Sequence, residues 1–179
     1  MGQIEEHRTV LLIAAITSRY PAAIDWAIEK AAAEWGAVSL QSEVFDFTET
    51  TFYTQSMGES LKKQLVAFQL FDPTKLADTK IASNAWEAEY NQSHNHPEDR
   101  PLNIDPGYLT EAKLILATTK DRDHRIYLRD GIYAEITLYY HSNNWTKSRW
   151  TYPDYQRKDF HQFFTQCRDH LRKLYRNSD

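Results

Sequence analysis

Apolar positions change their spacing along the chain, and each change marks an element. Residues 10–16 (VLLIAAI) form an unbroken apolar run of strand length. That predicts a strand buried on both faces, at the centre of a sheet. Ile24, Ala27, Ile28, Ala31 and Trp35 then recur at helical spacing, with Pro21 suited to the first helical position and Gly36 to the stop. Residues 38–47 alternate as a strand. Val38, Leu40 and Val44 share one parity and Phe45 and Phe47 the other, so a bulge or a two-sided strand is expected. Residues 46–58 (DFTETTFYTQSMG) lose the period and predict a long loop, either functional or a surface excursion anchored by Phe52 and Tyr53.

A further strand is expected at 62–71, with Val66, Phe68 and Leu70 on one face. Asp72-Pro73 supplies a cap and a first helical residue for a helix to about residue 90, with Ala77, Ile81, Ala85 and Ala88 as its apolar stripe. Asn84 falls on that side and reads either as a satisfied core amide or as a ligand contact. His94, His96, Glu98 and Asp99 sit in a polar loop with a solvated reading and a metal-binding one. Residues 102–104 predict a short strand and 105–107 (DPG) a turn. Residues 111–117 read as helix or strand, with a short helix capped by Thr110 preferred, and 118–123 predict a charged loop.

The next segment is a hairpin whose register can be argued. A two-residue loop would mix apolar and polar side chains on both faces. A three-residue loop, Arg129-Asp130-Gly131, pairs Leu128 with Ile132, Ile126 with Ala134 and His124 with Ile136 on an expected core face. It pairs Tyr127 with Tyr133 and Arg125 with Glu135 on the other. A strand at 145–150 and an elbow around Pro153 follow. The last helix has the cleanest stripe: Phe160, Phe163, Phe164, Cys167, Leu171 and Leu174, which makes Cys167 a core residue and not a nucleophile.

The element order is strand-helix-strand-strand-helix-strand, then a hairpin unit and a helix. Its first half resembles the split βαβ pattern of ferredoxin-like folds. The expectation is one α+β domain over residues 1–179, with a mixed or largely antiparallel sheet and helices packed mainly on one face.

Composition narrows the function classes. A net charge of −4 gives no global basic field for nucleic acid. One cysteine cannot build an intrachain disulfide or a thiolate metal cluster. No leader pattern and no apolar run of membrane-spanning length is present, so a cytoplasmic protein without a membrane partner is expected. Met1-Gly2 does not extend to a myristoylation motif, because Glu6 stands where Ser or Thr is needed.

DPGYLT (105–110), TKD (119–121), HRIYL (124–128), GIYAE (131–135) and WTYPDY (150–155) resemble an uncharacterised bacterial family, a domain of unknown function whose members are often labelled GTP-binding protein. FDFT at 45–48 and Met57-Gly58 also fit, so the resemblance covers nearly the whole chain. The GTP label implied by it conflicts with the residues. None of the five glycines builds GxxxxGK[ST], and Arg122 stands where a guanine-reading Asp is required, which excludes a P-loop GTPase. HExxH, GxSxG, GxGxxG and CxxC are also missing.

What remains is a polar and aromatic constellation: Asp105, Tyr108, Lys113, Lys120, Asp121, Arg125, Glu135, Tyr152 and Asp154, with Tyr127 and Tyr133 as stacking surfaces. Asp105, Glu135 and Asp154 are the candidate catalytic carboxylates, and Tyr108, Lys120, Asp121, Arg125, Tyr127, Tyr133 and Tyr152 the candidate ligand contacts. Three readings follow. The first is a site for a small anionic ligand, a nucleotide or phosphorylated metabolite, on the polar hairpin face between the turns at Asp105 and Asp154. The second is a non-enzymatic module presenting its aromatic strand face to a protein or RNA. The third is a Mg²⁺-dependent hydrolase using Asp105, Asp121, Glu135 and Asp154. Against all three, the same groups could be structural ion pairs and turn anchors. No cofactor is evident.

Overall fold

The computed structural model describes residues 2–178. The apolar run forms β1 (Val10–Ser18), buried throughout. α1 (Pro21–Trp35) begins at the expected proline and ends at Gly36, whose φ of 94° a side chain would resist. The parity switch in 38–47 breaks the expected strand into two rungs, β2 (Leu40–Gln41) and β3 (Phe45–Asp46). A loop carrying the short α2 (Thr54–Met57) leads into β4 (Lys62–Phe71). Asp72 accepts a hydrogen bond from the Thr74 N–H, and after a 3₁₀ turn α3 (Leu76–Ser93) follows. Then come β5 (Asn103–Leu109), β6 (Lys113–Thr118), β7 (Ile126–Arg129), β8 (Ile132–His141), β9 (Asn144–Lys147) and α4 (Lys158–Ser178).

The nine strands make one sheet in the order β2-β4-β1-β5-β6-β8-β7, with β3 also on β4 and β9 also on β8; every pairing is antiparallel. The stretch β2-β4-β1-β5, built from β1-α1-β2 and β4-α3-β5, has the order of the split βαβ pattern. α1 and α3 cover one face, over Leu12, Ala14, Ile16, Val66 and Phe68. α4 covers the opposite face, over Leu11, Ile13, Ala15, Leu65 and Ala67, with the expected stripe of Phe160, Phe163, Phe164, Cys167 and Leu171 buried. No helix of the described residues is long and apolar enough to cross a membrane.

Five local expectations are corrected. Residues 113–118 are a strand, not a helix. The pull of Leu114, Ile115 and Leu116 into a sheet buried on both faces overrides the helix formers around them. Asp105-Pro106-Gly107 is not a turn but the middle of β5. Pro106 is tolerated there because β6 pairs only with Gly107–Leu109, so on that side no N–H is needed from it. The turn lies at 110–112, where the Thr110 hydroxyl accepts from the N–H groups of Ala112 and Lys113.

In the hairpin, Ile126 faces Ala134 and Tyr127 faces Tyr133 as argued, but Ile132 faces Arg129. The loop is the two-residue Asp130-Gly131, both left-handed at φ 51° and 76°, and the extra residue is absorbed as a bulge around Leu128. The burial of its faces also differs. Ile132 and Ala134 pack on Leu76 and Ala77 of α3, but Ile126 and Leu128 on the outermost strand, and Ile136 further along β8, are exposed. On α3 the buried positions are Leu76, Ala77, Thr79, Lys80, Ser83, Trp86 and Tyr90, whereas Ile81, Ala85 and Ala88 face solvent.

Candidate functional site

α4 covers only part of its sheet face, and the side chains change where it stops. Along β1 the apolar Leu11, Ile13 and Ala15 give way to Thr17. Along β4, Ala67 and Leu65 give way to Lys63. Across β5 and β8 the corresponding positions carry Asn103, Asp105 and Glu135. Register aligns these changes. Thr17 lies opposite both Lys63 and Asn103, Ala15 opposite Asp105, and Leu116 opposite Glu135. A period-two pattern thus produces a polar floor at one end of an otherwise apolar sheet face.

The aperiodic loop after β3 roofs this floor. Phe47, Met57 and Leu61 pack together beneath Tyr53. At the other side, Arg157 at the start of α4 donates to the Asp46 carbonyl (2.8 Å) and to Glu49 (2.7 Å), which ties the roof to the helix. The segment 152–155 closes the remaining side with Tyr152, Asp154 and Tyr155. Between floor and roof lies a cavity of about 490 Å³, within the range of small-molecule sites.

α3 packs on the opposite face of the sheet yet reaches this cavity. Beyond Gly107, β5 is no longer paired with β6. Its open edge is satisfied by α3 instead. Glu87 accepts from the Ile104 N–H (2.7 Å), and Lys80 donates to the Ile104 carbonyl (2.8 Å), joined by the Ser83 hydroxyl at 3.3 Å. These polar residues occupy the buried face of α3 because an unpaired strand edge inside the protein must be hydrogen-bonded. Lys80 and Asn84 thereby enter the cavity wall.

The cavity carries six cationic side chains, Lys63, Lys80, Arg100, Lys120, Arg122 and Arg125, against four carboxylates, Glu49, Asp105, Glu135 and Asp154. The inner ones are paired. Lys63 lies 2.5 Å from Asp154, both buried, and over the ring of Phe47. Lys80 lies 3.2 Å from Asp105, whose second oxygen accepts from the Asn103 amide at 2.7 Å. Burial alone would raise the Asp105 carboxyl. Lys80, Lys63 and the Asn103 amide outweigh it and hold the group below the usual carboxylate range. Arg100 bonds Glu87 (2.9 Å) and Asn103. Burial pushes the Glu87 carboxyl above its ordinary value in spite of Lys80 and Arg100.

Arg125 is fully engaged: Nε to Glu135 (2.7 Å), one terminal nitrogen to the Lys120 carbonyl (2.8 Å) and the other to the Tyr152 hydroxyl (3.0 Å). Glu135 also contacts His124 Nε2 at 3.1 Å. Arg125 therefore braces the mouth of the cavity. Burial also pushes the phenols of Tyr53 and Tyr155 well up, with Asp105 and Asp154 nearby, so both remain neutral hydrogen-bonding groups.

Of the residues singled out in the sequence, Asp105, Lys120, Arg125, Glu135, Tyr152 and Asp154 meet in this cavity. Five do not line it, Lys113 at the start of β6 among them. Tyr108 packs against the cluster at the start of α3, and Asp121 lies on the exposed loop before β7. Tyr127 and Tyr133 contact each other edge-to-face near the sheet edge. Lys63, Lys80, Arg100, Asn103 and Tyr53 were missed. Asn84, which the sequence offers either as a core amide or as a ligand contact, lines the cavity. The carboxylates each face their own cation. Among the described residues, no three acidic, His or Cys side chains form a metal-binding group. His94 and His96 instead stack with Tyr90 and Tyr20.

The model of a family described as domain of unknown function (DUF4416) matches residues 8–171. No curated protein and no solved structure matches the chain.

Proposed function

The chain belongs to this DUF4416 family of unknown function, and we propose that its cavity binds a small anionic ligand, a nucleotide or a phosphorylated metabolite. One observation carries the reading. The lining holds more cations than carboxylates, and the surplus is at the mouth, where Lys120 and Arg122 have no carboxylate partner among the described residues. Charged donors without acceptors are the means by which side chains hold phosphate when no glycine-rich loop is present. The aromatic Phe47, Phe52, Tyr53, Tyr152 and Tyr155 supply the apolar wall that such sites add. A cytoplasmic setting belongs to the same proposal.

A thermal-shift screen of phosphate, pyrophosphate, nucleotides and sugar phosphates tests it. A ligand at about a hundred times its Kd adds roughly 2.7 kcal/mol and raises Tm by roughly 5–10 °C. The Lys120→Ala/Arg122→Ala double variant keeps its own Tm and loses the shift. A wild type that responds to no anion sinks the reading.

The interaction-module reading draws on a different place: the exposed Ile126, Tyr127 and Leu128 of β7 and Ile136 of β8. Ile126→Lys separates the two readings, since it leaves an anion-induced shift intact.

A further inference from the structure

We infer that the ligand is a phosphorylated polyol, seated with its hydroxyl groups against Asn84 and Tyr53 and its phosphate on Lys120 and Arg122. This rests on the anionic-ligand reading and assigns the two ends of the cavity. The assignment follows from separating lining groups that are already engaged from those that are not.

Arg125, Arg100, Asp105 and the Lys63–Asp154 pair each have protein partners at hydrogen-bonding distance. They shape the site and hold its field. Five groups have none among the described residues. The Asn84 amide lies on α3 in the cavity wall, and its donors and acceptor make no protein hydrogen bond. The Tyr53 hydroxyl lies under the roof and within electrostatic reach of Asp105 and Asp154. The Tyr155 hydroxyl is a third neutral group, buried and without a partner. At the mouth stand Lys120, whose ammonium lies 5.0 Å from the centre of the Phe52 ring, and Arg122. The free valences are thus neutral and able both to donate and to accept on the inside, and cationic at the opening.

Hydroxyl groups also donate and accept, so a polyol satisfies an amide and phenols at once. A carboxylate or second phosphate inside would meet Asp105, Asp154 and Glu135. A nucleobase fits the inner end less well. The lining ring pairs are tilted or perpendicular, Phe47–Tyr53 at 52° and Phe52–Tyr53 at 89°, and form no parallel slot for a base.

Isothermal titration calorimetry on the full chain tests this with a pentose monophosphate, a hexose monophosphate, the free sugars, inorganic phosphate and AMP. At least one sugar monophosphate binds about tenfold or more tighter than inorganic phosphate and AMP. Asn84→Ala weakens its binding by about three- to tenfold, the worth of one hydrogen bond. The same variant leaves inorganic phosphate affinity and Tm unchanged, because the amide holds nothing in the free protein. Lys120→Ala weakens both ligands. AMP binding as tightly as the sugar phosphates overturns the polyol assignment while keeping the anionic site. So does an equal loss of phosphate and sugar phosphate affinity in Asn84→Ala. No binding by any of the anions overturns both.

Discussion

The carbonyl of Ile115 in β6 lies so close to Gly107 in β5 that a Cβ at position 107 would overlap it, and would stand 2.7 Å from the Leu116 side chain. This is the point where the β5–β6 pairing begins, and beyond it β5 turns its edge to α3. Gly107→Ala forces backbone apart where nothing flexible can yield. The expected cost is at least about 2 kcal/mol, at the upper part of the range for overpacking. Urea denaturation checks it: the midpoint falls while the slope is retained.

Asp105 and Lys80 make a prediction about pH. The folded Asp105 carboxyl lies below its ordinary value of about 3.9. Its stabilisation is complete above that value and is lost as pH falls through the folded one. Lys80→Met removes the largest opposing charge, so burial prevails and the carboxyl is raised. In the variant the contribution of this group is then greatest at low pH and is lost as pH rises past about 4. The wild-type minus variant difference in unfolding free energy should therefore be larger at neutral pH than in acid. Asp105→Asn in the variant background should remove most of the difference. Equal losses at all pH values would mean that the Ile104 carbonyl, not Asp105, is what Lys80 serves.

The same α3 residues explain what the chain revealed in advance and what it hid. β1, α1 and α4 bury simple stripes, and their period is written in the chain. The buried face of α3 carries Lys80, Ser83 and Glu87 because its task is to hydrogen-bond a strand edge. A hydrophobic stripe search selects the wrong side of such a helix. The helix-or-strand ambiguity at β6 has a related cause: Leu114 to Leu116 are apolar without alternation because both faces are covered. The site was legible where its residues cluster in sequence, from Asp105 to Asp154. Lys63 and Lys80 come from elements whose local pattern is satisfied by a strand and a helix, and only register brings them beside Asp105 and Asp154.

Burial of the hairpin gives a third prediction. Ile126 is 70% exposed although its alternation with Ile132 and Ala134 suggests a core position. Ile126→Lys should change stability by no more than about 0.5 kcal/mol. Loss of a core isoleucine would cost about 2–5 kcal/mol. Chemical denaturation separates the two. Ile132, in the same strand face but 2% exposed beneath Leu76 and Ala77, should show the larger cost on Ile132→Ala.

Glu135 and Arg125 carry the last prediction. Both side chains are buried, and Glu135 Oε2 takes the Arg125 Nε at 2.7 Å. Glu135→Gln leaves a buried guanidinium without its counter-charge, which costs about 3–5 kcal/mol when a buried pair is broken. A second consequence follows from where Arg125 points. It holds the Lys120 carbonyl and the Tyr152 hydroxyl, one on each side of the mouth. Releasing it displaces Lys120 while leaving the Lys120 side chain itself unchanged. Glu135→Gln should therefore lower Tm and also weaken phosphate binding. Arg125→Lys should do the same, since an ammonium cannot reach three acceptors in a plane as a guanidinium does. Lys120→Ala, in contrast, should weaken phosphate binding at unchanged Tm. Calorimetric titration beside a melting curve for all three variants decides the matter. Undiminished affinity in Glu135→Gln, at a temperature where it remains folded, would make the pair a structural brace alone.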